Sequence, residues 1–78
     1  MNDCTIYYCI TNPITGEDIP HTKTVQMKDV YMTVQDERFI VKQKNDGKTE
    51  LICQIEDVDC AIIDDVVYPD VCMLYAAT

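Results

Sequence analysis

Short runs of β-branched, aromatic and other apolar residues recur along the chain, separated by residues typical of turns. The clearest pair, residues 38–43 and 49–55, flanks Asn45, Asp46 and Gly47. These three residues tolerate the positive φ of a tight turn, so we predict a central β-hairpin here. The next apolar run, residues 60–63, is short enough to be a strand covered on both faces. These three strands are expected to build the core.

Further strands are predicted on the N-terminal side of this hairpin. Asn12, Pro13 and Gly16 indicate a turn, because proline fixes φ and glycine permits the return of the chain. The strand that follows contains Pro20, which cannot donate to a ladder and therefore indicates an edge or a bulge. The predicted strands are residues 5–10, 17–21, 22–27 and 30–34, with a break at residues 28–29.

The C-terminal segment shows a different pattern. Pro69 and Asp70 resemble a helix start, because proline suits an early helical position and aspartate complements the helix dipole. We predict a short helix from Pro69 to about Ala77. Residues 1–78 are expected to form one α+β domain, mainly antiparallel β, with about five to seven strands in a small sheet or sandwich. We expect no internal repeat and no linker.

Composition narrows the class of protein. The chain is 47% hydrophobic, which is ordinary for a folded globule, and no apolar run is long enough to span a membrane. The N-terminus lacks the features of a signal peptide, so a cytoplasmic protein is expected. Five cysteines are an odd number without C-x-x-C spacing, which favours free thiols over disulfides or zinc. The cysteines are Cys4, Cys9, Cys53, Cys60 and Cys72.

Charge is unevenly distributed along the chain. The net charge is −8, and all six basic residues lie between positions 23 and 48. From residue 49 onward all the charged residues are acids. We therefore expect neither direct nucleic-acid binding nor binding to an anionic membrane. This distribution favours a basic protein partner.

Signatures of catalysis are missing from the sequence. The chain has no serine, and Gly16 and Gly47 are too few for a phosphate-binding loop. The single histidine, His21, follows a proline and is expected to be a surface residue, although a thiol enzyme using it stays as a minor alternative. The acids at positions 56, 57 and 59 lack the glycine and terminal glutamate of a calcium loop. We expect no enzymatic activity, cofactor or metal.

The C-terminal acids are the candidate partner-binding site. They flank the apolar run 60–63 and could form a negative rim that attracts a cationic surface. Tyr68 and Tyr75 would supply the aromatic anchors that interfaces favour. The predicted partner-binding residues are Glu56, Asp57, Asp59, Asp64, Asp65, Tyr68 and Asp70.

Residues 30–65 resemble the N-terminal β-domain of the integrase of CRISPR adaptation. The resemblance comprises a strand at residues 30–34, the hairpin 38–55, the step Glu56-Asp57-Val58, and an apolar strand ending at Asp64. The catalytic domain of that family has no counterpart here. The resemblance therefore implies a noncatalytic interaction domain.

Two functions follow from these observations. One is a small acidic inhibitor that mimics nucleic acid and so occupies the basic, nucleic-acid-binding surface of a partner protein. In size and acidity the chain is similar to phage-encoded anti-CRISPR and other anti-defence inhibitors. Such an inhibitor would act in the host cytosol. The other is a noncatalytic structural β-domain, related to that of the integrase, which forms a homodimer through its apolar strands.

Overall fold

A computed structural model describes the backbone of residues 3–76 and the side chains of this range except those of residues 72, 75 and 76. Seven strands form two antiparallel sheets, of four and three strands. Sheet 1 has the order β2-β1-β6-β7 and sheet 2 the order β3-β4-β5. The prediction of a mainly antiparallel β fold is confirmed. The strands are β1 (Asp3–Thr11), β2 (Asp18–Gln26), β3 (Val30–Gln35), β4 (Arg38–Gln43), β5 (Thr49–Gln54), β6 (Val58–Ile63) and β7 (Val66–Tyr68).

A C-terminal helix of the expected extent is not supported. The described backbone is helical only over α1 (Val71–Ala76), six residues, which is less than two turns. Ala77, the expected end of the helix, lies outside the described residues, as does the side chain of Tyr75. A segment this short has little stability of its own and depends on packing.

Two predicted strands are one. The sequence suggested separate strands at residues 17–21 and 22–27, whereas β2 continues without interruption through Pro20, which pairs with Cys9. The strand tolerates this proline because β2 is an edge strand and the missing N–H costs no ladder bond on its open side.

The core lies between the two sheets and is closed at one side by α1. The largest side chains that are fully buried come from both sheets and from the helical segment, and they include Ile6 on β1, Phe39 and Val41 on β4, and Leu74 on α1. β3 adds Val30 and Met32 to the same cluster. The inward faces of β1, β3 and β4 are therefore fixed by their apolar residues.

An internal repeat, which we did not expect from the sequence, organises these strands. Residues 26–30, QMKDV, and residues 54–58, QIEDV, each contain a short 3-10 helix that follows a hairpin and leads into a strand. Each of those strands then ends in a two-residue turn, Asp36-Glu37 or Asp64-Asp65, in which both residues have positive φ.

Strand register confirms the equivalence. Val34 pairs with Phe39 across the first of these turns, and Ile62 pairs with Val67 across the second, 28 residues later in each case. The hairpin loops also match, since Gly16 N–H donates to Asn12 C=O and Gly47 N–H donates to Gln43 C=O. Each copy thus consists of a hairpin, a 3-10 helix and a third strand.

The two copies are interlocked. The third strand of the first copy, β3, pairs with β4 of the second, while the third strand of the second copy, β6, pairs with β1 of the first. Each sheet therefore contains strands of both copies, so that neither copy can complete its sheet alone.

Candidate functional site

The predicted acids divide into two groups at opposite ends of β6. Asp57 and Asp59 lie at its beginning, and the Asp64-Asp65 turn follows its last residue. Asp64 follows Asp59 by five positions of extended chain, a distance of about 17 Å. The sheet thus has two acidic ends with a strand between them.

Asp18 on β2 is a third carboxylate near Asp57 and Asp59, and all three act on the thiol of Cys9. Cys9 lies opposite Pro20 on β2, and its thiol donates a hydrogen bond to Asp59 Oδ2 at 3.5 Å. The pKa of Cys9 is raised by partial burial, by this hydrogen bond and by the charges of Asp59, Asp18 and Asp57. Asp18 was absent from the residues chosen by sequence, although the Asn12–Gly16 turn sets the register that brings it opposite Thr11.

Tyr68 and Asp70 also contribute to the fold. Tyr68 on β7 pairs with Ala61, packs against the buried core and stays partly exposed. The backbone carbonyl of Asp70 accepts hydrogen bonds from the N–H groups of Met73 and Leu74 at 3.1 and 3.2 Å, which starts α1. Glu56 lies in the second 3-10 helix and lines a shallow depression with Glu37.

The outer face of sheet 1, which we call the open face, points away from the core. On β1 the inward residues Cys4 and Ile6 are fully buried, so the alternate positions face outward. The Oγ1 atoms of Thr5 and Thr24 lie 3.3 Å apart across this face. The register places on it Thr5, Tyr7 and Cys9 of β1, Pro20, Thr22 and Thr24 of β2, Cys60 and Ile62 of β6, and Val67 of β7.

Basic residues are absent from the open face. The only base in the strands of sheet 1 is Lys23, which pairs with the inward residue Ile6 and contacts Glu50 at 3.4 Å. Gln43 also donates to Glu50, and these two partners lower the pKa of Glu50. The other bases lie in sheet 2, in its β4–β5 loop or in the first 3-10 helix. The segregation of charge along the sequence therefore persists in the fold: all the lysines and arginines except Lys23 lie outside the strands of sheet 1.

Three of the described thiols, those of Cys4, Cys9 and Cys53, have raised pKa values. Burial raises the pKa of Cys4 to about 11, and burial together with the charge of Asp57 does the same to Cys53, so little thiolate forms near neutral pH. His21 stacks on Tyr8, with ring centroids 5.6 Å apart, and this places it on the opposite side of sheet 1 from Cys9. Cys4, Cys9, Cys53 and Cys60 are free thiols.

Similarity to known proteins indicates no further site. No protein-family model, curated protein or solved structure matches the chain. Among the described side chains, no three of the acidic, cysteine or histidine residues form a group that could hold a metal ion. No helix in the same range is long and apolar enough to cross a membrane.

Proposed function

We propose that this protein binds a basic, nucleic-acid-handling protein and occupies the surface that normally contacts phosphate. The observation that carries the proposal is the segregation of charge between the sheets: sheet 1 has acids at both ends, and its single lysine is held by Glu50. A surface of one sign attracts an oppositely charged partner over long range and raises the association rate.

The class of partner follows from this chemistry. Arginine and lysine side chains that grip phosphate also grip carboxylates, so an acidic protein surface can compete with nucleic acid. An inhibitor of the anti-CRISPR or other anti-defence type, acting in the cytosol of a host cell, fits a chain with a net charge of −8. This assignment rests on size and acidity.

A competition experiment tests the proposal. The protein is used to capture partners from a nuclease-treated bacterial lysate at low salt, and each captured protein is then purified. We expect a partner whose nucleic-acid binding is displaced by this protein, with affinity that falls steeply between low and half-molar salt. A partner that binds nucleic acid and this protein simultaneously, or with no salt dependence, would contradict the proposal.

A homodimer is the second candidate function, and the unprotected edge of β3 favours it. β3 is an edge strand of sheet 2, and its six residues, VYMTVQ, contain no charge and no proline. Natural edge strands usually carry such protective features, and β2 has Pro20. Tyr31 and Val34 on β3 are exposed. Sedimentation equilibrium over a range of concentrations tests pairing through this edge, which should persist at high salt.

A further inference from the structure

The open face is unusual for the outer surface of a two-layer β protein. Such a surface commonly alternates with the core and carries charged or strongly polar side chains. Here the central positions are threonine, tyrosine, cysteine and aliphatic residues, in a chain with a net charge of −8. Tyr7 is 38% exposed and Val67 is 55% exposed. The middle of the face is therefore uncharged and open to solvent.

Carboxylates bound this uncharged centre on the same face. Asp3 lies at one end of β1, where Gln26 of β2 donates a hydrogen bond to it, and the Asp64-Asp65 turn lies beside that end. Asp18 and Asp59 lie at the other end, around Cys9. Cys9 follows Asp3 by six positions of β1, so the two acidic ends are about 20 Å apart.

A second copy of the chain is a poor occupant of this face. When two sheets pack face to face with their strands aligned, their ends lie over each other. Because both ends of the open face are acidic, such a pair would place carboxylates opposite carboxylates in either orientation. Like charges that meet across an interface cost several kcal/mol.

We propose that the open face is the docking surface for the basic partner, with Tyr7 at its centre. The partner would present an apolar or aromatic patch between two groups of lysine or arginine. These groups would lie about 20 Å apart, which matches the distance between the two acidic ends of the open face. The uncharged centre provides apolar burial, and the acidic ends set orientation. This inference rests on the proposed function and specifies which surface performs it.

A defined probe tests the face directly. The probe is a disulfide-closed β-hairpin peptide with aromatic residues at its centre and arginines at both ends, and its control has the same composition with the arginines at the centre. Binding is followed by chemical shifts of the protein amides. We expect the first peptide to shift Thr5, Tyr7 and Ile62 and to bind more tightly than the control. Equal binding of the two peptides, or shifts confined to sheet 2, would overturn the inference.

Two matched tyrosines separate the open face from general adhesion. Tyr7→Ala changes the open face, where Tyr7 is 38% exposed. Tyr31→Ala changes the outer face of sheet 2, where Tyr31 is 42% exposed and is therefore a matched control. We expect Tyr7→Ala to weaken the probe by about fivefold or more, as for an aromatic anchor, and Tyr31→Ala to leave it within about twofold.

The same variants applied to a purified partner distinguish this inference from the proposed function. If nucleic acid is displaced by the protein and by Tyr7→Ala equally well, the function stands and the open face is not its surface. If the protein displaces no nucleic acid from any captured partner, the function fails whatever the peptide result.

Discussion

The thiol of Cys9 on β1 donates a hydrogen bond to Asp59 Oδ2 at 3.5 Å, where a bulge interrupts the pairing of β1 with β6. The two residues are 50 positions apart in sequence and belong to different copies of the repeat. Their contact is therefore a consequence of the interlocking of the two copies. A carboxylate that accepts from a thiol stabilises the protonated form, which contributes to the raised pKa of Cys9.

Replacement of this carboxylate should activate Cys9. Asp59→Asn removes the negative charge and should lower the pKa of the thiol, so that more thiolate is present near pH 8 and alkylation by iodoacetamide is faster. The rate at Cys9 is measured by peptide mass spectrometry across a pH series. Asp46→Asn, in the β4–β5 loop, is the control and should leave the profile unchanged. An unchanged profile in Asp59→Asn would contradict the contact.

The two-residue turns predict a stabilising substitution. Glu37 and Asp65 hold equivalent positions with φ of 62° and 65°, a region that favours glycine. Glu37→Gly should raise the free energy of unfolding by about 0.5–1 kcal/mol, because relief of strain exceeds the entropy gained by the unfolded chain. Urea denaturation measures the change. Glu56→Gly, where φ is not positive, should lower stability instead, and a gain there would contradict the strain argument.

Packing of α1 can be tested with two neighbouring residues. Leu74 is fully buried and Met73 is 51% exposed. Leu74→Ala should lower the free energy of unfolding by about 2–4 kcal/mol, a large part of the stability of a small domain, because it leaves a cavity in the core. Met73→Ala should change it by less than about 0.5 kcal/mol. Equal effects in thermal denaturation would mean that the segment does not dock as described.

Charge reversal tests the acidic end of sheet 1. Asp64→Lys with Asp65→Lys should weaken partner binding by about 1–3 kcal/mol, mainly through a slower association rate. The repeat offers the control pair Asp36→Lys with Glu37→Lys, which lies in the equivalent turn between β3 and β4 of sheet 2 and carries the same backbone strain. Stopped-flow or surface-binding kinetics compare the two variants.

The choice of control depends on the structure. Glu17 and Asp18 lie far from residues 64–65 in sequence, but they are not a suitable control, because the register of β1 with β2 brings Asp18 to the open face beside Cys9. If reversal at residues 36–37 weakens binding as much as reversal at residues 64–65, net charge rather than the acidic end governs the interaction.

Local patterns determined most of the strands. The Asn45-Asp46-Gly47 signal and the runs of β-branched residues predicted the central hairpin, because turn chemistry and strand propensity act over a few residues. The break at residues 28–29 also falls within the first 3-10 helix. Local patterns failed at Pro20, where the edge position of β2 allows the strand to continue.

The repeat escaped sequence analysis because few of its residues are identical. QMKDV and QIEDV differ at central positions, and the preceding hairpin is shorter in the second copy, with strands of six rather than nine residues. The equivalence lies in the strand registers, which only the tertiary structure defines.

The sequence by itself determined the net charge of −8, its segregation and the strand-forming runs, since these depend on composition and on neighbours in the chain. Only the tertiary structure decided which acids lie together. Asp18 joins Asp59, Tyr68 turns into the core and Lys23 turns inward toward Glu50, because each strand has to direct its apolar face toward the other sheet. That requirement fixes register and facing over long sequence separations, and a one-residue shift would reverse them.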